Sequence, residues 1–238
     1  MEAITRIWVY LAERPLLWLT VTVAVFWIAD RVHSRSGRFP LLNPVLLSVA
    51  ALVSLLMATD TPYHTYFQGA QFIHFLLGPA TVALAVPLAG QAGHLRRHWL
   101  PITAALAVGS LTAVVSAMAL GWALGLTPET LLSLLPKSVT TPIAMGVAEQ
   151  IGGLPSLTAV LVILTGITGA VLGIPLLRLL GHRDPVIKGF ALGVAAHGIG
   201  TARAFEHSEQ AGAFSGLGMG LNGALTAILV PLLVWLAS

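Results

Sequence analysis

The segment Pro136 to Met145 (PKSVTTPIAM) places a lysine and several hydroxyl groups between two prolines. Pro142 has no backbone N–H and disfavours helix at the residue before it, so the chain is expected to break here. A short helix that begins at Ser138 or Thr140 would direct free N–H groups and its positive dipole end outward, with Lys137 alongside. These residue types in this order indicate an anion-binding site.

The same segment also allows an interpretation without a ligand. Ser138 and Thr140 are common helix N-caps, and a lysine near the end of an apolar helix usually extends its charge toward water. We favour binding because this lysine lies in a polar stretch that is flanked by apolar turns. The substrate-binding residues predicted in the segment are Lys137, Ser138, Thr140, Thr141 and Pro142.

The stretch Ala195 to Glu209 (AAHGIGTARAFEHSE) is the second candidate. His197 and Thr201 are four residues apart and share a helical face, and the nearby glycines let another element or a ligand approach closely. Arg203 can bind a carboxylate or pair with Glu206 three residues on. The alternatives stay open: hydrogen-bonded packing for the histidine and a surface ion pair for the arginine. We predict that His197, Thr201 and Arg203 bind substrate.

Five further residues have predicted roles around these two stretches. Glu149 and Glu206 are predicted proton carriers, because acids at a membrane cavity often serve that purpose. A solvent-facing acid at a helix end is the alternative for Glu149. Asn43, Thr81 and Asn222 are predicted to support the site, as polar side chains that join helices.

The chain as a whole is unusually apolar. Of its 238 residues, 56% are hydrophobic and 9% are charged, and the mean hydropathy is +0.88. Soluble domains carry about 25% charged residues, so the composition predicts an integral membrane protein. The net charge of +3 comes from residues in short hydrophilic gaps and forms no basic face, which argues against a nucleic acid partner.

The sequence contains no motif that is typical of a catalytic site. Cysteine is absent, the eight histidines lack metal-ligand spacing, and no nucleotide-binding loop occurs. The sequence therefore predicts no enzyme, no metal and no cofactor. The first apolar run is expected to be retained as a helix, because Glu2 and Glu13 do not suit a cleaved signal.

Apolar windows of about 20 residues predict an all-α polytopic protein with about seven spans. The segment Glu129 to Gln150 is too polar to be a plain span and is predicted to be a broken or re-entrant element. The predicted spans are Trp8 to Ala29, Leu41 to Met57, Tyr66 to Ala89, Leu100 to Leu124, Pro155 to Leu180, Val186 to Phe205 and Ala213 to Ala237.

Charge gives a predicted topology. The loops Arg31 to Arg38, His94 to His98 and Arg178 to Lys188 hold most of the Lys and Arg and are expected to be cytoplasmic. All three can be cytoplasmic only if Glu129 to Gln150 enters and leaves on the outer side. The loop that contains Glu209 is then predicted to lie outside.

Two pairs of stretches suggest inverted repeats, which are typical of secondary transporters. Leu76 to Leu88 followed by Gly109 to Leu124 resembles His197 to Phe205 followed by Gly220 to Leu236. We predict one transmembrane domain, 1–238, composed of an N-terminal helix and loop (1–40), a first repeat (41–125), a broken element (126–153) and a second repeat (154–238).

These stretches resemble the LrgB family of bacterial membrane proteins, also called CidB-like. The matching text includes GAQFIHFLLGPATVALAVPL, PKSVTTPIAM, GFALGVAAHGIGTARA and GAFSGLGMGLNGALTAILVPLL, and the resemblance covers the chain from about Leu41 to its end. It implies one of two functions. Some relatives are regarded as holin-like or antiholin-like regulators of murein hydrolase activity that act with an LrgA or CidA partner. Others, including the plastidial glycolate and glycerate translocator, carry small 2-hydroxy or 2-oxo acids.

The residues themselves favour transport, because a pore-former has no obvious use for a lysine, paired prolines and a broken histidine-bearing helix at membrane depth. We predict a carrier of small monocarboxylates such as glycolate, glycerate, lactate or pyruvate, proton-linked or exchanging. The antiholin type of regulator is the alternative. The predicted partners are the lipid bilayer, the carboxylate anion, an LrgA/CidA-type protein and a second copy in a homodimer, and the predicted location is the bacterial inner membrane.

Overall fold

The protein is all-helical in the part of the chain that the computed structural model describes, residues 15–76, 79, 82–83, 86 and 89–237. It divides into two compact units, Met1–Ala83 and Leu84–Ser238. A short 3-10 turn, Pro40–Leu42, precedes the second helix. The described helices are α1 (Pro15–Arg35), α2 (Pro44–Ala58), α3 (Tyr63–Phe75), α4 (Ala92–Arg97), α5 (Trp99–Ala123), α6 (Pro128–Leu134), α7 (Thr141–Ile151), α8 (Pro155–Leu179), α9 (Pro185–His207) and α10 (Glu209–Ala237).

Four of these helices, α1, α5, α8 and α10, are long and apolar enough to cross a membrane. The prediction of a multi-pass helical protein is therefore confirmed in its coarse form, whereas seven separate spans are not found among the described residues. The helix α2 is apolar but shorter. The predicted span from Tyr66 to Ala89 begins as α3 and then enters residues that lie largely outside the described part.

In the first unit, α1 and α3 pack around Trp18, whose side chain is fully buried. Its ring meets the ring of Tyr66 edge to face, with centroids 5.7 Å apart. A β-carbon at Gly69 would lie 2.8 Å from that of Trp18, so glycine permits this close approach. Asn43 caps α2, because its side-chain oxygen accepts hydrogen bonds from the N–H groups of Val45 and Leu46.

In the second unit, the polar segment between α5 and α8 forms a helical hairpin. We call it hairpin 1, and it comprises α6, the turn 135–140 and α7. Near the end of α6, the hydroxyl of Ser133 accepts a hydrogen bond of 2.7 Å from the N–H of Leu154, just before α8. At its turn, Val139 packs against Val162, about two turns deeper along α8. The helix α7 then returns to the start of α8, which is the path of a re-entrant element.

The segment α9 consists of two helical arms joined by a break, and it forms a second hairpin that we call hairpin 2. Helical geometry stops at Ala196 and His197, and His197 has φ 42° and ψ −133°. The arm after this break folds back beside the arm before it, because Lys188 Nζ lies 3.5 Å from His207 Nε2. A straight helix would separate these two residues by roughly 28 Å.

Hairpin 2 corrects the predicted topology. We predicted one span from Val186 to Phe205, which would put Glu209 on the opposite side from the basic loop. Instead, His207 lies beside Lys188 and near Arg178, and its burial together with these positive charges lowers the pKa of the imidazole. The helix α10 therefore begins at the end of the unit where α8 stops. A run of about 20 apolar residues suits a span and a folded-back pair equally, so the pattern alone did not separate them.

Glycines let hairpin 2 and α10 approach backbone to backbone. A β-carbon at Gly189 would collide with the carbonyl oxygen of Ala211, and one at Gly193 would collide with that of Ser215. This spacing of four residues places both glycines on one face of the first arm. The close contact fixes hairpin 2 against α10 along its length.

The two hairpins enter the second unit from opposite ends. Hairpin 1 connects the end of α5 to the start of α8, whereas hairpin 2 connects the end of α8 to the start of α10. Both turns reach the middle of α8: Val139 of hairpin 1 packs on Val162, and the His197 ring of hairpin 2 packs on Gly166. Two broken elements that meet inside a helical membrane protein are the arrangement from which many transporters build their site.

We expect a labelling experiment to report this topology, because the chain has no cysteine of its own. Single cysteines at the exposed positions His182 and Glu209 should react with a membrane-impermeant maleimide from the same side. A cysteine at Thr127, before hairpin 1, should react only from the other side. If the cysteines of Glu209→Cys and Thr127→Cys reacted from the same side of the membrane, the hairpin would be wrong and Val186 to Phe205 would be a single span.

Substitution of the close-packed glycines should weaken the fold. We expect Gly189→Ala and Gly193→Ala each to destabilise the protein by about 1–3 kcal/mol, because the new methyl group meets backbone that cannot rotate away. Thermal unfolding in detergent measures the effect. Gly220→Ala in α10 is the matched control, because its β-carbon would enter open space; an equal loss there would show that the contact is not the cause.

Candidate functional site

The site lies where the turns of the two hairpins meet α8. The carbonyl oxygen of Val162 faces His197 Nε2 at 3.0 Å, so this imidazole nitrogen carries a proton and donates it. The side chain of Val162 packs against Val139 and Ala144 of hairpin 1. One residue of α8 therefore contacts both turns, and it fixes their depth relative to each other.

A second link comes from Asn222 in α10, whose side chain is 1% exposed. Its amide nitrogen donates to the carbonyl of Ser138 in hairpin 1 (3.4 Å) and to that of Val194 in hairpin 2 (2.9 Å). Its amide oxygen accepts hydrogen bonds from Ser110 in α5 and Thr226 in its own helix. The carbonyls beside a broken helix need partners, and Asn222 supplies them for both hairpins at once.

Lys137 lies in the turn of hairpin 1, with its side chain half-buried. Its ammonium group donates a hydrogen bond of 3.3 Å to the carbonyl of Ala113, near the middle of α5. Among the described residues, no carboxylate forms an ion pair with this lysine. A partly buried ammonium group with one neutral acceptor keeps two donors for another ligand.

The residues after Lys137 lead into the start of α7. Thr140 is the N-cap of this helix, but its side chain makes no capping hydrogen bond. Ser138 is buried, whereas Pro142 is exposed. The first turn of α7 therefore presents its positive dipole end close to Lys137 without a side-chain cap.

The residues predicted in the second stretch separate into two places. His197 and Thr201 are buried inside hairpin 2, where the threonine hydroxyl donates to the carbonyl of His197 (2.8 Å) and contacts Ser215 (3.0 Å). Arg203 pairs with Glu206 nearer the open end of the hairpin. Lys137 and Arg203 thus lie in different parts of the second unit.

The remaining predicted residues also have definite positions. Glu149 is exposed near the end of α7, and Glu206 is bound to its arginine. Asn43 is the helix cap in the first unit, whereas Thr81 lies outside the described residues. Asn222 joins α5, α10 and both hairpins through its hydrogen bonds, and its predicted role in support of a binding site stays a prediction.

A cavity of about 760 Å³ ends at Lys137 and Ser138. Its mouth is lined by His98, before α5, and Asp184, before α9, which belong to the predicted basic-loop side of the chain. Its deep end also includes Thr165 of α8. The cavity therefore extends from one end of the second unit to the meeting point of the hairpins.

Sequence reasoning missed the part of the cavity wall that α5 and α8 provide. Thr165 is one of several hydroxyl residues in the apolar sequence of α8, and small residues such as Ala105, Gly109 and Ala113 have no chemistry of their own. The only signal in the sequence was the recurrence of small residues in α5 at helical spacing, which also marks ordinary helix packing. Their role depends on which face the neighbouring hairpins leave open.

The fold and the site define a helical membrane protein in which two broken hairpins enter from opposite ends and border a cavity lined by Lys137. The chain belongs to the LrgB-like family, which matches residues 22–236, and this confirms the predicted resemblance.

Relatives cover almost the full length of the chain. It is 38% identical over 221 residues to the protein named "Uncharacterized protein YxaC" of Bacillus subtilis, which covers 93% of this chain and 96% of the relative. It is 31% identical over 218 residues to "Antiholin-like protein LrgB" of Bacillus mycoides (92% and 95%). It is 29% identical over 223 residues to "Holin-like protein CidB" of Staphylococcus epidermidis (94% and 97%). No solved structure matches the chain significantly.

Removal of the Asn222 amide should destabilise the second unit strongly. We expect Asn222→Leu to cost about 2–4 kcal/mol, because the Ser110 hydroxyl and the hairpin carbonyls lose their buried partner. The melting temperature should fall by roughly 5–10 °C. Ser116→Ala on the exposed face of α5 is the control, because its hydroxyl contacts only its own helix. An unchanged melting temperature for Asn222→Leu would refute the proposed link.

Proposed function

We propose that this protein is a secondary transporter that carries small 2-hydroxy or 2-oxo monocarboxylates across the bacterial inner membrane. The observation that carries the proposal is the position of Lys137 and Ser138 at the end of a cavity, where two opposed hairpins meet. Sites of this form, between broken helices near the middle of the bundle, serve alternating access in many carriers.

The local chemistry suits a carboxylate. An anion that leaves water must have its lost hydrogen bonds replaced. The ammonium group of Lys137 supplies positive charge and hydrogen-bond donors, and the hydroxyl of Ser138 can contact an oxygen on the second carbon of the acid. One half-buried cation gives modest affinity, which a carrier needs in order to release its substrate.

The cavity also suggests how the substrate enters. It reaches the site from the end that carries His98 and Asp184, so this conformation corresponds to access from the basic-loop side. Access from the other side would require the hairpins or α5 to move. Neither Glu149 nor Glu206 lines the cavity, so their position gives proton coupling no support. Proton coupling and exchange both stay predictions.

A regulator of the holin or antiholin type is the second candidate function. The printed names of the LrgB and CidB relatives support it directly, and none of the relatives named above carries a name that refers to transport. In that case the protein acts on lysis and murein hydrolase activity together with an LrgA/CidA-type membrane partner. A homodimer is compatible with either function.

Uptake into proteoliposomes tests the transporter. We expect the purified chain to take up labelled glycolate or pyruvate, and Lys137→Ala to reduce uptake roughly 10-fold to 100-fold, as expected for loss of a hydrogen bond to a charged group. Lys137→Arg should retain part of the activity, because it keeps the charge. Arg183→Ala, an exposed loop position, is the control with the same change in net charge and should transport normally.

The same vesicles distinguish the second candidate. Unselective release of a trapped dye that is indifferent to Lys137→Ala would contradict the transporter and support control of a pore. Uptake that appears only after an LrgA/CidA-type protein is added would make the pair the transporting unit.

A further inference from the structure

The cavity is large for the acids named above. Its volume of about 760 Å³ falls in the range of pockets that hold drug-sized ligands, roughly 300–1,000 Å³. A two-carbon hydroxy acid would occupy only a small part of it, next to Lys137. The rest of the cavity would then hold water against apolar walls, which is unfavourable.

The walls between the two ends are apolar. They come from one face of α5 and the first arm of hairpin 2, and they include Ile102, Ala105, Gly109, Ala113, Phe190 and Val194. Polar side chains lie at the ends: Lys137, Ser138 and Thr165 at the deep end, and His98 and Asp184 at the mouth. This distribution suits a ligand with one charged head and an apolar body.

The charges indicate how many carboxylates the ligand carries. Among the described residues, Lys137 is the one cationic side chain of Lys or Arg type that lines the cavity, and it lies at the deep end. The carboxyl group of Asp184 lines the mouth, where its oxygen accepts a hydrogen bond from the N–H of Val186. A second carboxylate on the ligand would face this acid or the apolar wall, so a monocarboxylate fits and a dicarboxylate does not.

We infer that the cavity binds monocarboxylates that bear an apolar substituent on the second carbon, that is, branched-chain or aromatic 2-hydroxy and 2-oxo acids. This inference rests on the proposed function and names its substrate class. The carboxylate binds at Lys137, and the substituent packs between α5 and hairpin 2. Fatty acids released from lipid share the anionic head and apolar body, so the experiment must separate them.

The test measures binding to the full chain in detergent by isothermal titration calorimetry. The probes are glycolate, lactate, 2-hydroxy-3-methylbutyrate, 3-phenyllactate and palmitate, with the amide of 2-hydroxy-3-methylbutyrate as an uncharged probe. Each buried carbon should tighten binding about fourfold, which corresponds to about 0.8 kcal/mol. The branched acid should therefore bind roughly 50-fold more tightly than glycolate, and the amide should bind at least tenfold more weakly than its acid.

A cavity-filling variant tests the location. Ala105→Phe should abolish most of the preference for the larger acids, because the new ring occupies the space of the substituent. Ala104→Phe adds the same ring one residue earlier, at an exposed position that does not line the cavity, and should retain the preference. Loss of the preference in both variants, or in neither, would overturn the assignment to this cavity.

The outcomes separate this inference from the function on which it rests. If none of the acids binds and none is taken up, the transporter proposal fails. If glycolate binds as tightly as the branched acid and is transported, the substrate class inferred here is wrong and the transporter stands. If palmitate binds more tightly than every shorter acid, the cavity is a lipid site and the inference is overturned.

Discussion

The second unit depends on one constraint: helices that stop inside an apolar protein leave backbone carbonyl groups that need hydrogen-bond partners. The turn of hairpin 1 and the break in hairpin 2 both create such groups, and the amide of Asn222 donates to one carbonyl in each. His197 adds a bond from the second break to the middle of α8. Asn222 therefore links the two hairpins by donating a hydrogen bond to a carbonyl group of each. Loss of its amide would affect both hairpins.

The break between α6 and α7, whose carbonyl groups need hydrogen-bond partners, also forms the candidate site. An unbroken helix would satisfy its own N–H groups and leave no cation at depth, whereas the turn between α6 and α7 places Lys137 and Ser138 at the end of a cavity. The apolar wall of α5 raises the cost of leaving this ammonium group without an anion. Stability and binding thus draw on the same short segment.

Membership of the LrgB-like family identifies the class of membrane protein but does not by itself determine the activity. The two functions considered differ in what they require at depth. Regulation of lysis requires a surface that recognises membrane partners, whereas transport requires a solute site that is reached from one side at a time. A half-buried Lys137 at the end of a cavity, between hairpins that enter from opposite ends, would serve the binding of a solute. The names of two relatives, holin-like and antiholin-like, point to the first.

The sequence by itself determined the helical membrane class, the approximate bounds of several helices, the family and the break in the chain between Pro136 and Pro142, because apolar length and proline geometry act locally. It also marked Asn222 as a residue that joins helices. Only the tertiary structure decided that α9 folds back at His197, since the apolar pattern is the same for a span and for two packed arms. Packing likewise decided three further features, because each depends on which faces the neighbouring elements cover. These are the separation of Lys137 from Arg203, the cap formed by Asn43 and the cavity wall of small residues in α5.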